Sequence, residues 1–258
     1  MPRRARKLLE HRSYHITHRC HDRKFLLKFI RDRRRYLGLL RQMTRRYKVE
    51  VLGYMVTSNH VHLLLWARDP AEISEGLRFL QGTAAQRYNR RKERGGSYWS
   101  GRYKSTLIQD GVHLGRCMFY IDLNMVRNGQ VGHPREWIGS SYAETAGKRK
   151  RCLIVNRDLL IRKTGHGSEK EFTEWYERTL EDKIKAGELS RESFWTESLA
   201  VGDREWVKGI AGRIHVGSKE LSKTETSSSG KSLKVREEAA SYFIKGGKRA
   251  NQSLSRYL

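Results

Sequence analysis

Two histidines separated by one residue, His60 and His62, are the residues of this sequence best suited to bind a divalent cation. They lie in the run His60–Trp66, whose composition predicts a β-strand, and residues two apart on a strand point to the same face. Both imidazoles would then project together, while Val61 faces the core. Two imidazoles alone leave a metal short of ligands, so an incidental pair of strand histidines is the alternative.

A second polar group follows the helix predicted over residues 112–128. At 100° per residue, a narrow arc between apolar residues collects His113, Arg116, Tyr120, Asn124 and Arg127. Tyr120 and Asn124 lie one turn apart, so this stripe offers a hydroxyl nucleophile, a neutral oxygen ligand and guanidinium groups for phosphate. A surface stripe with a half-buried tyrosine explains the same pattern without any chemistry.

The charge of the chain indicates a polyanionic partner. Its 258 residues include 53 Lys or Arg and 28 Asp or Glu, which gives a formal net charge of +25. Nucleic acid is the commonest partner of such a chain. A solvated basic surface, or an RNA- or ribosome-binding protein, would explain the charge but not the histidines and the tyrosine. We expect phosphate contacts from Arg3, Arg4, Arg6, Lys7, Arg19, Arg102, Lys104, Arg116 and Arg127. Tyr98 and Trp99 could stack unpaired bases, or could belong to the core.

Other sequence features narrow the class of protein. No apolar run approaches the roughly 20 residues that a membrane helix needs, and the first residues lack the apolar segment of a signal peptide. The three cysteines are too few and too scattered for a disulfide framework or a zinc site. We therefore expect a cytoplasmic, nucleoid-associated protein without a membrane partner.

The secondary-structure pattern predicts an α+β fold. Periodicity and turn signals predict strands at 12–19, 49–56, 60–66 and 103–108 and helices at about 24–47, 70–89 and 112–128. The first six elements follow the ferredoxin-like split βαβ order, an antiparallel sheet with helices on one or both faces. The last helix can pack on one face of that sheet.

The chain divides at Gly147, where the pattern breaks in a basic run. Residues 1–147 are the first predicted domain and 148–221 a helical extension, with one helix around Phe172–Leu180 and another over Glu205–Ile214. Residues 222–234 read as a polar linker, and 235–258 as a short helical tail with its first helix over Val235–Ile244. Because the candidate residues all precede Gly147, a chain ending there is expected to retain their chemistry.

Several ordered motifs resemble the REP-associated tyrosine transposases, a group of the single-tyrosine HUH transposases. The run Tyr120-Ile-Asp-Leu-Asn-Met-Val-Arg127-Asn-Gly129 is similar to their Tyr-Ile-x-Leu-Asn-Pro-Val-Arg-x-Gly signature, and His60-Val61-His62 matches the His-hydrophobic-His motif. Tyr14-His15-Ile16-Thr17-His18-Arg19 resembles their first strand, and Trp99-Ser-Gly-Arg102-Tyr103-Lys104-Ser105 the entry to their fourth. The resemblance covers about residues 12–143, with Met125 where the family usually has Pro.

This resemblance implies a role for each residue. His60 and His62 would bind Mg²⁺ or Mn²⁺, with Asn124 as third ligand, and Tyr120 would attack DNA to give a 5′-phosphotyrosine. No nucleotide cofactor is expected, because the covalent link preserves the phosphoester energy. From physical reasoning, and not from the resemblance, we expect Arg116 or Arg127 to stabilise the developing phenolate of Tyr120.

The implied partner is single-stranded DNA beside hairpins of the REP type, and the implied enzyme a transposase-like endonuclease that cuts and rejoins it. The alternative is a domesticated protein that binds the hairpin without cleaving. The sequence leaves open a monomer or a homodimer, the hairpin sequence and a mobile-element or host role.

Overall fold

The computed structural model describes residues 8–214, together with the backbone at 221–223 and 242–245. Among the helices of these residues, none combines the length and the apolar character needed to cross a membrane.

The N-terminal half forms a four-stranded antiparallel sheet with two long helices. Its strands stand in the order β2-β3-β1-β4, and each neighbouring pair is antiparallel. This order confirms the predicted ferredoxin-like arrangement and the α+β class. The elements in chain order are β1 (Arg12–Arg19), α1 (Ile30–Arg46), β2 (Val49–Val56), β3 (His60–Ala67), α2 (Pro70–Arg91) and β4 (Lys104–Ile108).

Local sequence explains where the two long helices begin. α2 starts at Pro70, where the side chain of Asp69 accepts a hydrogen bond from the backbone N–H of Ala71. α1 starts at Ile30, later than the sequence pattern predicts, because the chain before it is extended at Phe29 (φ −84°, ψ 145°). The Arg33 side chain donates to the carbonyl of Leu27 and stabilises this approach to the helix.

The two faces of the sheet have different chemistry. Ile16, Val61 and Leu63 are fully buried, as expected for the face that packs against α1 and α2. The opposite face presents His15 and His62 to the following helix. That helix is divided into α3 (Val112–Asp122) and α4 (Asn124–Arg127), whereas the sequence predicted one continuous helix over residues 112–128.

The division between α3 and α4 lies at Leu123, whose backbone (φ −80°, ψ 3°) leaves helical geometry. The backbone hydrogen bonds from Leu123 N to the Phe119 carbonyl and from Arg127 N to the Leu123 carbonyl persist. The chain therefore continues in nearly the same direction.

The C-terminal extension is mostly helical but also contributes to the sheet. β5 (Ser198–Gly202) pairs in parallel with β4, through Leu107 with Ala200 and Ile108 with Val201. The sequence pattern did not predict β5 or the helix over Arg157–Lys163. α5 (Tyr142–Thr145) precedes the extension, whose helices are α6 (Arg157–Lys163), α7 (Glu169–Lys185), α8 (Phe194–Glu197) and α9 (Arg204–Arg213).

Two short strands extend the sheet beyond β5, to the order β2-β3-β1-β4-β5-β7-β6. They are β6 (Leu221–Lys223) and β7 (Tyr242–Lys245). The helix predicted over Val235–Ile244 is therefore wrong at its end, because this aromatic and β-branched stretch pairs with the edge of β5. The other residues of the predicted linker and tail, 224–241 and 246–258, lie outside the described residues.

Candidate active site

A cationic cavity of about 910 Å³ opens where β1, β3, α4 and the extension meet. Glu197 lies in its lining, and the cationic side chains outnumber this carboxylate among the residues that the structure describes. A concave site of one charge sign concentrates anions. The cations of the lining are Arg19, Arg23, Arg102, Lys104, Arg127 and Arg191.

The two strand histidines project into this cavity from β3. The centroids of the His60 and His62 rings are 4.9 Å apart, and the rings are nearly perpendicular. His62 is buried and His60 is half-buried. Val61, between them, is fully buried in the core on the other side of the sheet. The shared face that the strand period predicts is thus present in the structure.

The loop before β3 determines which nitrogen of His60 carries its proton. Nδ1 of His60 lies 2.7 Å from Oδ1 of Asn59 and 2.9 Å from Oγ1 of Thr57. The Asn59 amide is oriented by its Nδ2, which donates to the carbonyl of Arg23, so its oxygen faces His60 and can only accept. His60 therefore donates from Nδ1, and its Nε2 keeps a lone pair.

His62 lies between two polar partners. Its Nδ1 is 2.9 Å from Nε2 of His15 on β1, and its Nε2 is 3.2 Å from the amide Nδ2 of Asn124. Burial lowers the pKa of His60 to about 3. Burial also lowers the pKa of His62 well below its usual value, and the neighbouring His60 adds to that shift. Both imidazoles are therefore neutral, the form that binds metal ions.

These residues fit a divalent cation, provided that an amide oxygen completes the ligand set. Within residues 8–214, no group of three or more His, Cys, Asp or Glu side chains could bind a metal ion. Asn124 is the polar side chain next to His62, and its amide carries an oxygen suited to Mg²⁺ or Mn²⁺. In the structure the amide Nδ2 of Asn124 faces His62, and its Oδ1 lies 3.4 Å from Nδ2 of Asn128. His60, His62 and Asn124 would form the ligand set once the Asn124 amide turns its oxygen toward the ion.

Tyr120 lies beside the same histidines. Its ring centroid is 6.2 Å from that of His62 and 6.1 Å from that of His15, and the guanidinium carbon of Arg127 lies 4.4 Å from it. Burial raises the pKa of Tyr120, and the positive charges of Arg127 and Arg191 act against that rise. A cation next to a phenol stabilises its deprotonated, nucleophilic form.

The remaining predicted residues divide between the cavity and other places. Arg19, Arg102, Lys104 and Arg127 line the cavity, together with Tyr120 and Asn124. Arg116 and His113, on the same predicted stripe, do not line it, and Arg116 acts electrostatically on His113 instead. Arg3, Arg4, Arg6 and Lys7 lie outside the described residues.

The predicted stacking platform of Tyr98 and Trp99 is not supported by the structure. Tyr98 is 4% exposed and Trp99 is 8% exposed. Their rings pack edge to face at 4.7 Å, Trp99 stacks on His18, and its indole N–H donates to the carbonyl of Gln81. These aromatic residues belong to the core beneath α1 and α2, so their faces are already occupied.

Three residues join the site that residue types alone did not single out. His15 was part of a strand motif without a role, although its position on β1 places it diagonally opposite His62 across the β1–β3 pair. Arg191 lines the cavity, and the carbonyl of Trp195 contacts His15. The last two lie in the extension, and no local pattern connects them with a site more than 60 residues earlier.

Comparisons with known proteins find similar solved structures and one family model. Among solved structures, one similar chain is a REP-associated tyrosine transposase bound to a REP hairpin, with 16% identity, a TM-score of 0.48, and coverage of 57% of this chain and 87% of that chain. Another is a putative transposase from Deinococcus radiodurans R1, with 20% identity, a TM-score of 0.31, and coverage of 40% and 84%. A comparison with curated proteins finds no match.

The sequence model of the IS200-like transposases matches residues 9–124, a segment that contains His60, His62, Tyr120 and Asn124. This match confirms the transposase family that the motifs indicated. Residues 9–124 of the chain are thus similar to the IS200-like transposases.

Proposed function

We propose that this protein cleaves and rejoins single-stranded DNA beside hairpins, through a covalent 5′-phosphotyrosine intermediate. The observation that carries the proposal is the convergence of Tyr120, the oriented imidazoles of His60 and His62, and the Asn124 amide on one cationic cavity. A nucleophile, a metal-binding group and phosphate-binding cations are the parts that phosphodiester transfer needs.

Tyr120 acts as the nucleophile. Its hydroxyl oxygen forms a bond to the scissile phosphorus, the bond from phosphorus to the 3′ oxygen breaks, and the proton that the phenol loses is matched by one gained at the 3′ oxygen. The reverse reaction with a 3′-hydroxyl rejoins DNA and frees the tyrosine. The phosphoester bond is exchanged rather than hydrolysed, so no nucleotide cofactor is required.

A divalent cation, Mg²⁺ or Mn²⁺, supplies Lewis-acid polarisation of the scissile phosphate when bound. Nε2 of His60, Nε2 of His62 and the amide oxygen of Asn124 are the atoms that would bind it. Neutral imidazoles and an amide leave the charge of the ion uncompensated, which favours the binding of a phosphate beside it.

DNA binding rests on the cations of the cavity. Arg19, Arg102, Lys104 and Arg127 line the cavity, so a strand that enters it would exchange its counterions for these fixed charges. The sequence motifs resemble those of the REP-associated group. On that basis we propose that the cleaved strand lies beside a hairpin, and that this hairpin is a REP palindrome. The protein would act on nucleoid DNA in the cytoplasm.

One observation favours a second candidate, a hairpin-binding protein that does not cleave. Tyr120 is only 6% exposed, and burial raises the pKa of its hydroxyl. A tyrosine that stays in this position after DNA binds would be a poor nucleophile. The two functions therefore differ in one measurable product, the covalent adduct.

The test incubates the protein with single-stranded DNA from beside its own gene, with Mn²⁺ or with EDTA, and separates covalent adducts on a denaturing gel. We expect an adduct with Mn²⁺, none with EDTA, and none from Tyr120→Phe, which retains the ring but lacks the nucleophilic oxygen. Hairpin binding by Tyr120→Phe should equal that of the unmodified protein. Tight hairpin binding without any adduct from the unmodified protein would establish the non-cleaving function instead.

A further inference from the structure

His15 is a buried histidine of β1 that has a hydrogen-bonding partner on each ring nitrogen. Its Nδ1 lies 2.8 Å from the backbone carbonyl oxygen of Trp195, and its Nε2 lies 2.9 Å from Nδ1 of His62. Trp195 itself is fully buried in the extension, so this carbonyl is held in position by packing. His15 thus connects the extension to His62.

The groups at the two ends of this connection determine which ring nitrogens of His15 and His62 carry protons. A carbonyl oxygen can only accept, so Nδ1 of His15 donates to Trp195. At the other end, Nε2 of His62 lies 3.2 Å from the amide Nδ2 of Asn124, which can only donate, so Nε2 of His62 accepts and Nε2 of His15 accepts from Nδ1 of His62. His62 must then donate from Nδ1, which leaves the lone pair of its Nε2 facing Asn124.

We propose that His15 is a positioning residue: through the carbonyl of Trp195 it fixes the tautomer and orientation of His62, so that Nε2 of His62 is presented to a metal ion. The inference rests on the proposed function, because it gives His62 a purpose in binding metal. It also assigns the extension a direct part in the site. Asn59 and Thr57 perform the same task for His60, so each imidazole of the pair has its own acceptor.

A purely structural role for His15 makes different predictions. The rings of His15 and His62 are stacked, with centroids 5.1 Å apart and an interplanar angle of 16°, so His15 also fills space between β1 and α3. A phenylalanine would preserve most of that packing and lose both hydrogen bonds. A glutamine would keep an oxygen that accepts from His62 and an N–H that donates to Trp195.

The experiment compares His15→Phe and His15→Gln with the unmodified protein, and uses His133→Phe as a control for the loss of a buried imidazole. His133 is buried against Tyr142 and does not line the cavity. Two readouts do not depend on cleavage. One is the protonation of each histidine nitrogen in the metal-free protein, from long-range ¹H–¹⁵N NMR spectra. The other is Mn²⁺ affinity, from titration calorimetry.

In the unmodified protein, His15 and His62 should both carry their proton on Nδ1. His15→Phe should give a mixture of His62 tautomers and lower Mn²⁺ affinity about 10- to 100-fold, the usual effect of losing such a supporting partner. His15→Gln should recover most of that affinity, and His133→Phe should not change it. If His15→Phe does not fold, the tautomers of the unmodified protein and the affinity of His15→Gln still decide the question.

Two results would overturn the inference: a proton on Nε2 of His62 in the metal-free protein, or unchanged Mn²⁺ affinity in His15→Phe. Failure of the proposed function looks different. In that case the unmodified protein neither binds Mn²⁺ nor forms a DNA adduct, while its histidine tautomers remain measurable.

Discussion

Arg127 contacts Tyr120 at two points. Its guanidinium lies over the tyrosine ring at 4.4 Å, and its Nη2 donates to the backbone carbonyl of Tyr120 at 3.0 Å. Burial lowers the pKa of Arg127, and the neighbouring Tyr120 acts against that change. The two side chains therefore favour each other's charged forms, which is the coupling that a phenolate nucleophile requires.

We predict that Arg127→Gln lowers the rate of adduct formation about 100-fold at saturating DNA, because a cation next to the developing charge is lost. Single-turnover kinetics with Mn²⁺ would measure it. Arg116→Gln is the matched control, since Arg116 lies one turn before Tyr120 but outside the cavity. Equal losses in the two variants would mean that bulk charge, rather than the position of Arg127, determines the rate.

At the scale of elements, Asp122 links α3 to the rest of the molecule. This buried carboxylate accepts from the Tyr176 hydroxyl of α7 at 2.8 Å and from the Ser141 hydroxyl at 3.3 Å. Burial raises its pKa to about 7, with the two hydrogen bonds acting in the other direction. The folded protein therefore binds this proton more tightly than the unfolded chain does.

From that shift we predict that the free energy of unfolding decreases as the pH rises from about 4 to about 7. The stabilisation is complete below the ordinary pKa of an aspartate and is lost as the pH passes the raised value. Asp122→Asn, which is neutral throughout, should lack this decrease, and its advantage at high pH should be on the order of a few kcal/mol. Urea unfolding across this range would measure it.

Asp158→Asn, at an exposed position of α6, is the control for that measurement. A constant difference in unfolding free energy between Asp122→Asn and the unmodified protein at every pH would contradict the assigned role of Asp122.

Elements that have their own periodicity could be predicted from the sequence, and elements defined by tertiary pairing could not. β1, β2 and β3 and the second helix appear close to their predicted ranges because alternation and caps are local signals. β5 is five residues long and becomes a strand because the edge of β4 is available. The helix interruption at Leu123 could not be predicted, because no glycine or proline lies at that position.

The same distinction applies to the site. His60, Tyr120 and Asn124 were identified from spacing and from motifs. Trp195 contributes a backbone carbonyl, a group that every residue possesses, so no side-chain pattern could indicate it. For Tyr98 and Trp99 the sequence left base stacking and a core position open, because aromatic residues among basic ones suit both, and the structure places them in the core.

At the scale of the whole molecule, the cavity and the exposed side of α1 are two separate groups of cations. We predict that replacing Arg19, Arg102 and Lys104 by Gln lowers the slope of log affinity against log salt by about two units for single-stranded DNA, since each phosphate contact contributes roughly 0.7. Replacing Arg34, Arg35 and Arg45, which are exposed on α1, removes the same charge elsewhere. A larger change in the α1 variant would place the DNA over that helix.

The extension changes the expectation for a shortened chain. A chain ending at Gly147 retains Tyr120 and the histidines but lacks Trp195, Arg191 and β5, which pairs with β4. We now predict that such a chain loses Mn²⁺ affinity and adduct formation, whereas a chain ending at Ile214 retains both. Circular dichroism would test whether both proteins fold, and calorimetry would measure their Mn²⁺ affinity. Full cleavage by the shorter protein would show that the domain ending at Gly147 is sufficient for the site.

The contact between His15 and Trp195 joins residues 180 positions apart, which has a consequence for synthesis. Ribosomes add about 5–20 residues per second, so roughly 4–15 seconds separate the translation of Tyr120 from that of Trp195. During this interval the chain has Tyr120 but not the carbonyl that contacts His15. Under the proposed function, cleavage of DNA would therefore begin only after the extension has been synthesised, and nascent or prematurely terminated chains would not cut the DNA beside their own gene.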